Sequence, residues 1–171
     1  FKNNTQFYRV ESKGTANYPG KTFFTQYILG PTLQEGLPEV KNYFRSIKTL
    51  FKFNNLSEKV MAVDPSFFPL LGVQLKQGSL AKFESNPYAL ILTETAAEKL
   101  FGKEVNPIHQ FIDTENSNKP VRLEVVGVIK DISAFSTIQS SYFISTKFME
   151  ATQPRNRLEN WGMLSYETYI E

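Results

Sequence analysis

The sequence predicts an α+β fold of mixed sheets and short helices, on three observations. Segments with a two-residue apolar period alternate with short helical segments, without the regular strand-helix-strand rhythm of a doubly wound sheet. Apolar residues make up 41% and aromatics 14% of the 171 residues, enough for a substantial core. No internal repeat, low-complexity run or linker divides the chain, so residues 1–171 read as one domain with room for two lobes.

Taken in order, FYRVESK at 7–13 alternates as a strand, and 14–21, with Asn17, Pro19 and Gly20, reads as a turn region. TFFTQYIL at 22–29 fits a strand or a buried aromatic segment. Residues 30–37 carry Pro31 and Gly36 and read as a loop, after which Pro38 opens a short helix, PEVKNYFRS, with Val40 and Phe44 as its inward pair. Residues 47–53 alternate as a strand, Asn54-Asn55 is the turn, and 58–63 returns as a second strand.

In VDPSFFPLLGVQLKQGS at 63–79, Asp64 is a good N-cap and Pro65 a good first helical residue, with Gly72 suited to the left-handed position that ends the helix. Pro69 removes one helical hydrogen bond, so the helix is limited to a turn or two with 3₁₀ character. VQLKQ at 73–77 is a strand, and 80–88 a loop or short helix. ALILT at 89–93 is a buried strand whose Thr93 caps the helix ETAAEKLF, with Ala97, Leu100 and Phe101 inward and Gly102 at its end. IHQFID at 108–113 and VRLEVVGVIKDI at 121–132 form a long hairpin with its tip over 115–120. SYFIST at 141–146 is a strand, FMEAT a short helix, and 158–171 a final extended segment.

The net charge of +2 is spread along the chain, and the densest basic group, 41–52, is interleaved with Phe and Leu as on a solvated face. That pattern argues against a nucleic-acid binder. The chain has no cysteine, which excludes thiolate metal sites, thiol nucleophiles and disulfides. No run approaches the roughly 18–20 apolar residues of a membrane span, and FKNNTQFYRV is no signal peptide. A start on Phe1 and a strand-like end, SYETYIE, predict a piece cut from a larger protein.

His109 is the only histidine; a metal site would need it to recruit Asp113, Glu98 or Asp131, and no HxH, HxxxH or HExxH spacing exists. It reads as a surface or strand histidine. No GxSxG is present, and a Ser-His-Asp triad would depend on that one imidazole. Glu94 and Glu98 are the solvent face of a helix, with Glu104 nearby, rather than a pair of catalytic acids. Gly127, alone in a strand pattern, signals a bulge or a close backbone approach. No GxGxxG or Walker sequence occurs, and the N-glycosylation matches at Asn3 and Asn55 are what chance supplies. Phe23, Phe24, Tyr27, Phe67, Phe68, Phe101, Phe111, Phe143 and Phe148 are core residues by default, some of them candidates for an apolar pocket or partner interface. The residues therefore predict no catalytic, cofactor or metal site.

Three ordered stretches, VDPSFFPLLGVQLKQGS, ALILTETAAEKLFGKEVNPI at 89–108 and RLEVVGVIKDI at 122–132, resemble the periplasmic core domain of MacB-like ABC transporter permeases, including FtsX-like permeases common in Bacteroidetes. FYRV and PEVKNYFR are similar to what that family shows after its first transmembrane helix. The resemblance implies a periplasmic domain inserted between the first and second transmembrane helices of an inner-membrane permease, with a porter-like βαβ lobe and a smaller mixed lobe. It implies no enzyme activity and no cofactor. The implied partners are a cytoplasmic ABC ATPase, a second permease copy and a periplasmic protein, and the implied role is mechanical coupling in export. An alternative role is activation of a periplasmic cell-wall hydrolase. Where the family has Gly-Lys after the Pro-Ile matching Pro107-Ile108, this chain has His109-Gln110, which argues against a tight turn there. Pro69 stands where the family has a polar or charged residue, and the chain stops short of a further strand-helix element, which implies an incomplete porter-like lobe.

Overall fold

ALILT forms an interior strand of the sheet, every residue of it buried, in a computed structural model that describes residues 6–13, 20–53, 56–132 and 138–171. In chain order the elements are β1 (Tyr8–Arg9), β2 (Ser12–Lys13), β3 (Lys21–Thr22), α1 (Leu29–Gly36), β4 (Tyr43–Phe53), β5 (Leu56–Val63), α2 (Phe67–Leu70), β6 (Leu75–Gly78), α3 (Leu80–Ser85), β7 (Ala89–Thr93), α4 (Glu94–Phe101), β8 (Phe111–Asn116), β9 (Lys119–Ile129), β10 (Tyr142–Ser145), α5 (Lys147–Thr152), α6 (Arg155–Leu158) and β11 (Glu167–Ile170). The main sheet runs β1-β11-β4-β5-β10-β7-β9-β6, and β8 joins it by pairing with β9 and β4. The β5/β10 and β7/β9 pairs are parallel and the others antiparallel, which makes the sheet mixed and the fold α+β.

Strand alternation divides the apolar side chains between two cores. Val60, Ala62, Leu90, Leu92 and Ile144 face one core, where α4 and α5 cover them with Ala96, Ala97, Phe148 and Met149. Met61, Val63, Ala89, Ile91 and Phe143 face the other, beneath Phe67 and Phe68 of α2 and Phe83 of α3. The far end of β4 bends to β8, where Thr114 donates to the Lys52 carbonyl at 2.6 Å and Asn116 to that of Leu50 at 2.9 Å.

Thr93 caps α4 by accepting from the Ala96 amide, and Gly102 closes it at φ 89°. Gly72, at φ 66°, ends α2 as expected, its amide bonding to Pro69 O and that of Val73 to Phe68 O. Pro69 is explained by its place: it is the third residue of a helix that begins at Phe67, where an amide has no intrahelical acceptor to lose. Gly127 meets both expectations. The β7/β9 register slips between Leu90 and Ile91, bulging Val126, and a Cβ at 127 would lie 3.1 Å from Ile91 and Leu75.

Several expectations about the elements fail. TFFTQYIL at 22–29 is neither a strand nor a buried aromatic segment: β3 ends at Thr22, and Phe23 and Phe24 are exposed. The loop at 30–37 is helix α1: Pro31 lies in its first turn, and Gly30 is required because a Cβ there would approach the Tyr43 ring to 2.5 Å. The helix expected at 38–46 is absent. Val40 and Phe44 are both buried, but the chain from Tyr43 is extended between β5 and β11, so sheet pairing overrides the local pattern. The hairpin tip is shorter than 115–120, a two-residue turn at Ser117 and Asn118 with φ 51° and 61°. The final segment is extended only over Glu167–Ile170, and part of it is helix α6. The Asn54-Asn55 turn, most of the 14–21 turn region and the glycosylation match at Asn3 lie outside the described residues, as does Asn55 of the other match.

Candidate functional site

Two neighbouring features occupy opposite faces of the first half of β4. Tyr43, Arg45 and Ile47 point to one side of the strand, and Phe44, Ser46 and Lys48 to the other.

On the first side, Arg45 and Asp64 form a buried ion pair. Arg45 donates from Nε to Asp64 Oδ2 and from Nη2 to Oδ1, both at 2.8 Å, and its backbone amide reaches Oδ2 at 2.7 Å. Thr146 Oγ1 donates to Oδ1 at 2.5 Å, and Arg45 Nη1 donates to the Tyr27 carbonyl at 2.6 Å. The guanidinium also lies 3.8 Å from the Tyr27 ring centre, and the Tyr27 hydroxyl donates to Glu150. Burial disfavours the Arg45 charge, but the hydrogen bonds and charge of Asp64 outweigh it and hold the pKa above its ordinary value. For Tyr27, burial pushes the pKa up, Arg45 pulls it down and the Glu150 bond raises it further, with a net rise. No buried side-chain nitrogen or oxygen among the described residues lacks a partner. The network fastens β4, the end of β5, α5 and the turn leading into α1 at one point.

Sequence reasoning missed this pair. It assigned Asp64 to capping a helix, whereas the carboxylate is consumed by Arg45 and Thr146, and Ser66 precedes α2 without a side-chain cap. The available signal was an arginine between Phe44 and Ser46, just before Ile47, and an aspartate ending the apolar run Val60–Val63.

On the other side of β4 lies an open groove of about 700 Å³. Its floor is Phe44, Met61 and Phe67, all buried, and its walls include Phe24, Leu164 and Tyr169. Arg9, Lys48 and Glu167 are its charged residues. Arg9 lies 3.6 Å from the Phe23 ring centre, and Tyr169 donates to Glu167 at 2.9 Å. Burial and that bond push the Tyr169 pKa up to about 12.

The residues singled out for metal or acid chemistry do not converge. His109 Nδ1 lies 2.9 Å from Glu124, and Lys82 Nζ is 3.3 Å from the opposite ring nitrogen, so both ring nitrogens face side chains that hydrogen-bond them. Asp113 lies 3.7 Å from Arg122, and Glu94 pairs with Lys76. Asp131 accepts from Thr95 Oγ1 at 2.7 Å and from its amide at 3.1 Å; the hydroxyl bond chiefly holds the Asp131 pKa low. Among the described residues no group of three or more His, Asp or Glu could hold a metal ion. The tight turn that His109-Gln110 argued against is present: Gln110 bonds to Pro107 O at 3.1 Å, and His109 adopts φ 67°, the left-handed position that glycine fills at least cost.

Of the aromatics, Phe67, Phe68, Phe143, Phe148 and Tyr27 are buried and Phe101 half-buried, whereas Phe23, Phe24 and Phe111 are exposed. Phe23 and Phe111 are covered by the guanidinium groups of Arg9 and Arg122, and Phe24 lines the groove.

The profile of the MacB-like periplasmic core domain matches residues 1–169. No curated protein matches the sequence. Among solved structures, a domain assigned to a permease protein of Porphyromonas gingivalis superposes with a TM-score of 0.71 at 20% identity, covering 88% of this chain and 64% of its own. This chain thus spans under two thirds of that relative's length. The periplasmic region of MacB from Actinobacillus actinomycetemcomitans gives a TM-score of 0.61 at 14% identity, covering 96% of this chain and 73% of its own. The extracellular domain of the ABC-type transporter YknZ from Gram-positive bacteria gives 0.55 at 18%, covering 86% and 72%. At these identities the superpositions establish the fold.

Proposed function

The chain belongs to the family of MacB-like periplasmic core domains of ABC transporter permeases, and from that premise we propose that it is a non-catalytic coupling element, which passes ATP-driven motion from membrane helices to the periplasmic side. The ATP is hydrolysed by a separate cytoplasmic ATPase, and two permease copies move against each other.

The observation that carries this reading is the pairing of β1 with β11. Tyr8 lies opposite Ile170 in antiparallel register, so the segments entering β1 and leaving β11 run side by side at one edge of the sheet. β11 pairs in turn with β4, which carries Arg45 of the Arg45–Asp64 joint near its start. A displacement applied to the paired ends therefore reaches β5 and α5 through directional bonds rather than through a loop.

The parent reading frame supplies the first check, with one apolar run of about 20 residues before this segment and three after it. The decisive experiment uses the full-length permease with its ATPase in proteoliposomes. The chain has no cysteine, so a spin label at exposed Glu104, as Glu104→Cys, reports the distance between two copies without competing sites within the domain. The distance distribution is expected to shift between the nucleotide-free and ATP-bound states; identical distributions in both would overturn the reading.

A further inference from the structure

The groove behind the Arg45–Asp64 joint has the shape and charge of a ligand site that the coupling role does not require. Its volume of about 700 Å³ lies within the ordinary range for small-ligand sites, and its floor is apolar. The floor is not a gap between elements, because Phe44 packs on Phe67 edge-to-face at 5.4 Å and stacks on Tyr169 at 4.7 Å, which holds both rings in place. Phe24, about half exposed at 52%, stands at the open side and packs on no other ring among the described residues.

The charged residues give the polarity. Lys48 is exposed at the end of the apolar floor and has no hydrogen-bond or ion-pair partner among the described residues. Arg9 supplies a second cation, fixed over Phe23. Glu167 is the single acid of the lining among the described residues, and its carboxylate is engaged by the Tyr169 hydroxyl. An apolar trough with two cations at its edge and one occupied acid complements a ligand with an apolar tail and an anionic head.

We propose that this groove binds a single-chain anionic amphiphile of the fatty-carboxylate type, with its tail along Phe44, Met61 and Phe67 and its head between Lys48 and Arg9. Because the site lies across β4 from Arg45, an occupant rests on the strand that carries the coupling joint. The inference rests on the coupling reading only for its purpose. Binding is measured on this chain alone, so failure to bind leaves the ATP-driven distance change untouched, and absence of that change leaves binding untouched.

The test is titration calorimetry of the 171-residue chain with laurate below its micelle concentration, and with dodecyltrimethylammonium and dodecyl maltoside as cationic and nonionic counterparts. Laurate is expected to bind saturably at one site, and the cationic analogue about tenfold more weakly or worse. Lys48→Glu, on an exposed side chain, should weaken laurate about tenfold, and Phe24→Asp should weaken it while circular dichroism stays unchanged. Equal affinity for laurate and the cationic analogue, or laurate affinity unmoved in both variants, would overturn the proposal. So would binding to anionic phospholipid vesicles without saturable binding of free laurate, which would mark a membrane-facing surface instead.

Discussion

Along β7, Ala89 to Leu92 are apolar and wholly buried, and their neighbours on both faces are apolar too, whereas the first half of β4 buries an arginine held by directional hydrogen bonds. Packing at β7 is set by volume. Hydrophobic burial does not care about angle, so the centre tolerates chemical change that preserves size and shape. The joint at β4 is set by geometry, since Asp64 accepts four hydrogen bonds at its two oxygens and none can move far without stranding a charge. A domain that transmits motion needs both kinds of region: a packed interior that moves as one body, and a joint through which displacement of the chain ends is passed on without slack.

The largest effects should match in size at the two regions and differ in repair. Phe143→Ala at the centre should cost about 3–5 kcal/mol in denaturant unfolding, by lost burial and a residual cavity. Asp64→Ala should cost about 3–5 kcal/mol by leaving Arg45 buried and unpaired. The double variant Arg45→Met/Asp64→Leu should recover most of the second loss, because neither charge is then stranded. If the double variant is as unstable as the single one, the joint is held by packing like the centre, and the contrast is wrong.

Gly127→Ala tests the centre from the opposite direction. The added methyl meets Ile91 and Leu75 at 3.1 Å, and overpacking should cost about 1–3 kcal/mol in the same assay. A neutral result would mean that the bulge at Val126 gives way.

A smaller effect sharpens the picture of the joint. The Tyr27 pKa is raised, chiefly by burial, so its neutral form contributes stability in full below the ordinary tyrosine value of 10. As pH rises past 10 the unfolded chain ionises tyrosines that the folded chain keeps neutral. Stability therefore falls, and Tyr166 and Tyr169, raised to about 12 mainly by burial, add to the slope between pH 10 and about 12. Tyr27→Phe should cost about 1 kcal/mol at neutral pH by losing the bond to Glu150, and should flatten the alkaline slope. An unchanged slope would show that Tyr27 ionises freely in the folded chain.

The same contrast explains what could be read from sequence. ALILT-ETAAEKLFG was legible to its boundaries because its determinants are local: an apolar run, a threonine whose hydroxyl meets the amide three residues on, and a closing glycine. Gly72 and Gly127 were legible for the same reason. Tyr43–Ser46 was not, since Val40 and Phe44 at helical spacing also suit a strand, and only β11, more than 120 residues away along the chain, decides between them. The Arg45–Asp64 joint was hidden by separation as well, with Thr146 and Glu150 arriving from α5 and its approach. The aromatic groove was visible only as a list of phenylalanines, because the sequence does not say which of Phe24, Phe44 and Phe67 share a face until the strands are paired.

The central claim is that the Arg45–Asp64 joint carries motion, beyond holding the fold. Arg45→Met/Asp64→Leu in the full-length permease, spin-labelled at position 104, separates the two roles once the domain's thermal unfolding is shown to be near that of the native chain. The account predicts that the ATP-dependent shift in inter-copy distance collapses in this variant while the fold persists. A shift of undiminished size would contradict it.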